Sequence, residues 1–300
     1  LEIHTCQYEI GELLGAGGYG SVFEGTRVGD GLKVAVKYVP KKAGVRYINL
    51  PEFSEPIPLE VALQVLATGG SNVPEIVKLL DWQDRPGYYI MVLERPAPCT
   101  NLREFCRSKG EKLSEELARV IMRQATRAAY ICCRQGVFHS DIKQNNLLIN
   151  PETLQVKLID FGCGFLLKET PYTTYEGTRN YCCPDNTKTG QYYGKLAMVY
   201  SLGVLLFTMV CGRYPHFKDK CEIRDTIWYK DELSIECCRL IQACLQENPE
   251  ERIHLEEMLG HKWFQTPRID GNLENNKESD VRIEGECTQK CENIINSEGV

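Results

Sequence analysis

The stretch Val137-Phe138-His139-Ser140-Asp141-Ile142-Lys143-Gln144-Asn145-Asn146, followed by Ile159-Asp160-Phe161-Gly162, decides how the chain is read. It sets an acid, an amide and a second acid at intervals of five and fourteen residues. Metal-assisted phosphoryl transfer needs that set: one carboxylate to orient an attacking hydroxyl, and two oxygen donors to hold Mg²⁺ on a triphosphate. A lone Asp or Asn in a loop is ordinarily a turn residue. Three of them at these intervals, beside short apolar strands, are hard to assign to turns.

Upstream, Gly15-Ala16-Gly17-Gly18-Tyr19-Gly20-Ser21-Val22 is a glycine-rich hairpin. Glycines let a backbone come close to phosphates and turn N–H groups on them. Alone the pattern is weak, because similar spacing opens dinucleotide-binding folds, where a helix follows. Here a strand follows, which disfavours an oxidoreductase; a ligand-free glycine turn stays open at this point. Val34-Ala35-Val36-Lys37 then places a lysine on an apolar strand, with Ala35 and Lys37 on one face. Lys37 lies seventeen residues after Gly20. Glu60, in a helical segment, is its candidate ion-pair partner.

The chain has 300 residues, 43% apolar and 25% charged, with a net charge of −6. It is long enough for one large domain or two modest ones. The negative balance argues against nucleic acid as the main partner, since phosphate contact needs a basic face. The fifteen cysteines include adjacent pairs at Cys132-Cys133, Cys182-Cys183 and Cys237-Cys238 but no Cys-x-x-Cys. That spacing suits neither a zinc framework nor a short secreted disulfide scaffold. No signal peptide is visible, so reduced, mostly buried thiols in the cytosol or nucleus are expected. The apolar run from Leu196 to Cys211 is shorter than the ~20 residues of a membrane span and reads as a helix buried in a large lobe.

Strands are expected at Tyr8–Leu14, Ser21–Thr26, Leu32–Val39, Val77–Trp82 and Tyr88–Leu93, and a helix at Leu59–Ala67. Pro56 and Pro58 punctuate a loop, while Pro96 and Pro98 mark a hinge. Ser114 is a good N-cap for a helix carrying Leu117, Ile121, Ala125, Ala128 and Cys132, ended by Gly136. Short strands follow at Leu147–Ile149 and Val156–Ile159, then helices to about Phe264. Residues 266–300 are polar, without aromatics, and read as a disordered tail.

Taken together, Gly15–Val22, Val34–Lys37, His139–Asn146 and Asp160–Gly162 resemble the protein-kinase signature set over about residues 7–265. Leu79-Leu80-Asp81-Trp82, Leu93-Glu94-Arg95-Pro96-Ala97-Pro98, Leu158 to Gly164, Gly177-Thr178-Arg179 and Met209-Val210-Cys211-Gly212 resemble the Pim serine/threonine kinases in particular. The resemblance implies an α+β bilobal fold: a β-rich N-lobe with one main helix at 1–95 and a mostly helical C-lobe at 96–265. It implies ATP and two Mg²⁺ ions, protein substrates with Ser or Thr acceptors, a monomer, and no membrane or nucleic-acid partner. In it Asp141 orients the acceptor hydroxyl, Lys143 approaches the γ-phosphate, and Lys37, backed by Glu60, grips the α- and β-phosphates. Asn146 and Asp160 hold metal. Leu14, Gly15, Gly17, Gly18 and Gly20 cover the nucleotide. Val22, Ala35 and Leu148 sandwich adenine, Leu93 stands behind it, and the Glu94 carbonyl takes its amino group. Pro96 has no N–H to give a second hinge bond.

Several positions depart from the family. Ser140 replaces the arginine that reads a phosphorylated activation loop, so phosphorylation at Thr173, Thr174 or Tyr175 should not switch the enzyme by that route. Asp185 replaces a glutamate, which should loosen its pair with Arg252. Gln64 falls at an apolar position, where an unpaired buried amide costs roughly 1–3 kcal/mol. Asn101, Gln144, Asn145 and Arg213 are not acidic, leaving Glu104, so a weaker preference for basic residues upstream of the acceptor is expected. The alternative to an active kinase is a pseudokinase scaffold, for which Ser140, Gln64 and Asp185 are the grounds.

Overall fold

The computed structural model describes residues 1–18, 20–42, 44–69 and 73–265. The expected tail at 266–300, with Cys287 and Cys291, lies outside them.

The first part of the chain builds a six-stranded antiparallel sheet. Its strands are β1 (Glu2–Ile3), β2 (Cys6–Gly17), β3 (Gly20–Arg27) and β4 (Lys33–Pro40), with two more contributed later. Gly20 turns the β2–β3 hairpin at φ +128°, and a Cβ there would sit 2.2 Å from the Tyr38 carbonyl oxygen. On β4, Val34 and Val36 bury fully on one face. Alternation sends Ala35 and Lys37 to the other.

A strand pair absent from the sequence reading follows. β5 (Tyr47–Ile48) and β6 (Ile57–Pro58) form a small ladder inside the segment expected to be a loop. Ile48, Leu50 and Ile57 are buried against the main core. Next comes α1 (Leu59–Thr68), closed by Gly69 in the left-handed conformation. The sheet is completed by β7 (Leu79–Arg85) and β8 (Tyr88–Glu94) in the order β1-β2-β3-β4-β8-β7. β7 starts two residues later than expected because Ile76 bridges to Leu158 and the Val77 N–H bonds the Leu158 carbonyl.

Gln64 is buried, as expected, but it is not unpaired: its amide donates to the Val77 carbonyl at 2.5 Å. The expected penalty is therefore corrected, and the residue pins α1 to the chain entering β7. Gln64→Leu keeps the volume and strips that carbonyl of its donor. The expected loss is about 1–3 kcal/mol, measured by denaturant unfolding; an unchanged midpoint would show that the bond contributes nothing.

Beyond the hinge come β9 (Thr100–Asn101), α2 (Leu102–Ser108) and the long α3 (Glu115–Arg134). The Ser114 side chain accepts from the Leu117 N–H, and Gly136 has φ +70°. β10 (Val137–Phe138), β11 (Leu147–Ile149), β12 (Val156–Leu158) and β13 (Phe165–Leu166) are short. β11 pairs with β12 and β9, and β10 with β13. These ladders hold the two polar loops of the opening stretch side by side.

The remaining helices are α4 (Pro184–Thr189), α5 (Gly194–Cys211), α6 (Phe217–Arg224), α7 (Ile235–Cys244), α8 (Leu255–Met258) and α9 (Lys262–Gln265). At 18 residues α5 is two longer than the apolar run, and by length and composition it could cross a membrane. Fifteen of its residues are buried within the protein. A Cβ at Gly203 would lie 2.6 Å from Cys244 Cβ, so glycine lets α7 approach.

No disulfide joins the described cysteines. Cys132, Cys237 and Cys244 are at 0% exposure in helix interfaces. Burial pushes the Cys106 thiol up to about 11 and that of Cys244 up to about 12.

Candidate active site

The site lies where one face of the sheet meets the loops at the ends of β10 and β12. Antiparallel register sets Val22 opposite Lys37, Lys37 opposite Met91, and Ala35 opposite Leu93. Directly paired residues share a face, so Val22, Ala35, Lys37 and Leu93 form one surface. These residues except Lys37, and Leu148 on β11, are only partly buried, as the walls of an open slot would be.

Lys37 is 5% exposed. Its Nζ lies 2.5 Å from Glu60 Oε1 and 2.7 Å from Asp160 Oδ1. Burial alone would drive the ammonium toward neutrality, but the two carboxylates overcome it and hold its pKa above the ordinary value. The reciprocal holds for Asp160: desolvation raises it, Lys37 lowers it further, and the net shift is downward. Glu60 has a second holder that sequence reasoning missed, the Tyr89 hydroxyl, donating to Oε2 at 2.8 Å. Tyr89 sits two residues before Met91 on the same face of β8; that alternation was the available signal.

Asp141 is held from several sides. The Thr178 N–H donates to Oδ1 at 2.9 Å. Asn146 Nδ2 donates to Oδ2 at 3.0 Å and to the Asp141 carbonyl at 2.9 Å. Lys143 Nζ lies 2.7 Å from Oδ2 and also donates to Thr178 Oγ1 at 2.7 Å. The carboxylate is thus fixed in orientation, with Lys143 beside it. His139, fully buried, is kept toward the neutral form by desolvation, and its ring packs 4.8 Å from that of Phe161.

The glycine-rich hairpin meets the needs of a phosphate cradle. A Cβ added at Gly15, Gly17 or Gly18 would meet no described atom within 4 Å. Packing therefore does not demand glycine there, whereas close approach by a ligand does. Lys42 Nζ reaches the Gly18 carbonyl at 2.7 Å. At the hinge, the Glu94 carboxylate accepts from the Lys78 N–H at 2.8 Å and from Lys157 at 2.9 Å. Both contacts fix the strand end from which Pro96 follows.

The donors suit Mg²⁺. Asn146 commits its amide nitrogen to Asp141, leaving its carbonyl oxygen for a cation, and Asp160 is partly exposed. No group of three or more His, Cys, Asp or Glu among the described residues could form a protein-only metal cage. Mg²⁺ is ordinarily held by one or two carboxylates plus substrate phosphates and water.

Like Gln64, Asp185 proves better paired than expected. Arg252 Nη1 and Nη2 meet the two oxygens of Asp185 at 2.9 and 3.0 Å, and both side chains are buried. The expectation of a loosened pair is corrected: the shorter acid is reached by a fully buried guanidinium. Ser140 behaves differently. It is buried at φ +65°, and its hydroxyl has no hydrogen-bond partner among the described residues. The activation segment is held by aromatic packing instead. Phe138, Phe165, Tyr172 and Tyr192 lie 5.0–6.1 Å apart. Tyr175, stacked edge-on against Tyr192, donates its hydroxyl to the Thr178 carbonyl.

Residues 8–264 match the family model described as protein kinase domain. The chain is 39% identical over 274 residues to serine/threonine-protein kinase pim-2 of Danio rerio, covering 89% of this chain and 88% of that protein. It is 34% identical to serine/threonine-protein kinase prk-2 of Caenorhabditis elegans over 85% of this chain and 58% of that protein. It is 29% identical to CBL-interacting protein kinase 19 of Oryza sativa subsp. japonica over 86% of this chain and 51% of that protein.

Proposed function

The chain belongs to the protein kinase family as a Pim-like serine/threonine kinase, and from that premise we propose how its residues divide the work. Protein kinases use ATP and a divalent metal to modify protein hydroxyls. Here Asp141 orients the acceptor hydroxyl and takes its proton as the oxygen attacks the γ-phosphorus and ADP departs. Lys143, beside it, faces the transferred group as a point charge. Lys37 grips the α- and β-phosphates and Glu60 aims it. Leu14, Gly15, Gly17, Gly18, Gly20 and Val22 cover the nucleotide. Ala35, Leu93, Glu94 and Leu148 line the adenine slot. Asn146 and Asp160 hold the metal, which we assign as two Mg²⁺ ions. Bound there, they neutralise charge on the phosphates.

The observation that carries this reading is the state of the two polar clusters. The Lys37–Glu60 pair is formed and Asp141 is held by Thr178, Asn146 and Lys143. Ser140, which has no guanidinium to read a phosphate, supports an enzyme not switched by activation-loop phosphorylation. Transfer of labelled γ-phosphate to a Ser/Thr peptide library should be well above Lys37→Met and Asp160→Asn controls. Wild-type transfer no greater than theirs would refute the assignment.

The same test bears on specificity. Gln144 is buried and donates to Thr208, and Arg213 is engaged bidentately by Asp219 at 2.7 and 2.9 Å. Asn101 accepts from the Glu104 N–H as the N-cap of α2. The acidic surface near the cleft is thereby reduced, and weak selection for upstream arginine is expected. Strong selection on a peptide array would overturn this. We further propose a monomer in the cytosol or nucleus, without nucleic-acid or membrane partners. The net charge of −6 supports the part concerning nucleic acid.

A further inference from the structure

Arg46 lies between β4 and β5, in the segment the sequence reading passed over as a loop. Its guanidinium carbon is 4.5 Å from the centre of the Phe165 ring. Its Nη2 lies 3.5 Å from the Gly164 carbonyl and 3.5 Å from Glu176 Oε1. Its own carbonyl accepts the N–H of Leu59, the first residue of α1, at 2.9 Å. One residue therefore touches three parts of the site. Gly164 and Phe165 lie four and five residues after Asp160. Glu176 stands two residues before Thr178, whose N–H holds Asp141. Leu59 adjoins Glu60, which holds Lys37.

Ser140 has no charge to offer the activation segment, and its hydroxyl finds no partner among the described residues. The segment nevertheless carries a permanent carboxylate at Glu176, and a cation reaches it from the N-lobe side. We propose that Arg46 is a positioning residue that ties the activation segment to α1 through Glu176 and Gly164–Phe165. It does the work of a phosphate-reading arginine with a fixed acid in place of the phosphate. The effect falls on geometry more than on stability. The two side chains are 43% and 41% exposed, and an isolated exposed pair adds little to folding. Between two elements that each carry half of the catalytic set, the same small bias acts on how often both halves are assembled.

The proposal rests on the kinase reading above, and the test separates the two. Wild type, Arg46→Met, Glu176→Gln, the double variant and the swapped pair Arg46→Glu/Glu176→Arg are compared for kcat, KM for ATP, KM for peptide and melting temperature. Each single variant should lower kcat by about two- to fivefold, the size of an exposed pair's coupling expressed as a rate. KM for ATP and the melting temperature should stay near wild type. The double variant should be no slower than the slower single. The swapped pair should recover part of the loss. Singles equal to wild type, losses that multiply in the double variant, or no recovery by the swap would each overturn the proposal. A wild-type protein that transfers no phosphate would overturn the kinase reading and this inference with it.

Discussion

An Asp141→Asn protein is expected to turn over at least about 10²-fold more slowly than wild type, because the proton acceptor is gone. The change is nearly isosteric, so the loop remains in place, but the hydrogen-bond polarity is wrong. Thr178 N–H, Asn146 Nδ2 and Lys143 Nζ all present hydrogens to this side chain. A carboxylate accepts from all of them, whereas a carboxamide brings one oxygen and a further donor. The nitrogen must face either the Thr178 N–H or the Asn146 and Lys143 side. The loss should fall on kcat, with KM for ATP little changed, since Lys37 and the glycine-rich hairpin are not involved. Steady-state kinetics on one peptide substrate decides it. A fall of less than tenfold would remove Asp141 from the role of base.

Arg252→Ala is expected to be the most damaging single change to stability. The side chain is fully buried and serves Asp185 with two bonds, the Gln246 carbonyl with two and the Leu196 carbonyl with one. It also lies 5.3 Å from the centre of the Tyr200 ring. Truncation leaves a buried carboxylate with no countercharge. Breaking a buried pair from one side costs about 3–5 kcal/mol. For a chain of this size that lowers the melting temperature by on the order of 10 °C. Replacing both partners, as in Asp185→Leu/Arg252→Met, removes the stranded charge and should be milder than Arg252→Ala alone. A thermal scan of the three proteins checks the order; a single variant within 1 °C of wild type would contradict it.

The polar chemistry was legible because it is local. Asp141, Lys143 and Asn146 share one loop, and a single ladder between β11 and β12 brings Asp160 to them. Lys37 was legible through strand alternation, which predicts its face without knowing what lies opposite. The misses are long-range. Whether Gln64 is an orphan depends on where the Val77 carbonyl falls, thirteen residues away. Whether Asp185 is too short depends on how deeply Arg252 is buried, sixty-seven residues on. The β5–β6 ladder was missed for another reason. Two-residue strands beside prolines give no period to detect, although Ile48, Leu50 and Ile57 were apolar enough to announce a buried segment.

The thiols of the helical lobe carry a practical consequence. Cys132, Cys237 and Cys244 are sealed in helix interfaces, and burial there disfavours the thiolate. Only the thiolate attacks oxidants and alkylating reagents. Chemical ageing at these sulfurs must therefore pass through an opened lobe, and its rate is set by how often the lobe opens. Nucleotide that binds the closed form should slow reaction at these three thiols in the same proportion as it suppresses opening. Oxidation at Cys132, Cys237 and Cys244 and unfolding of the lobe, usually tracked as separate failures, then run on one clock.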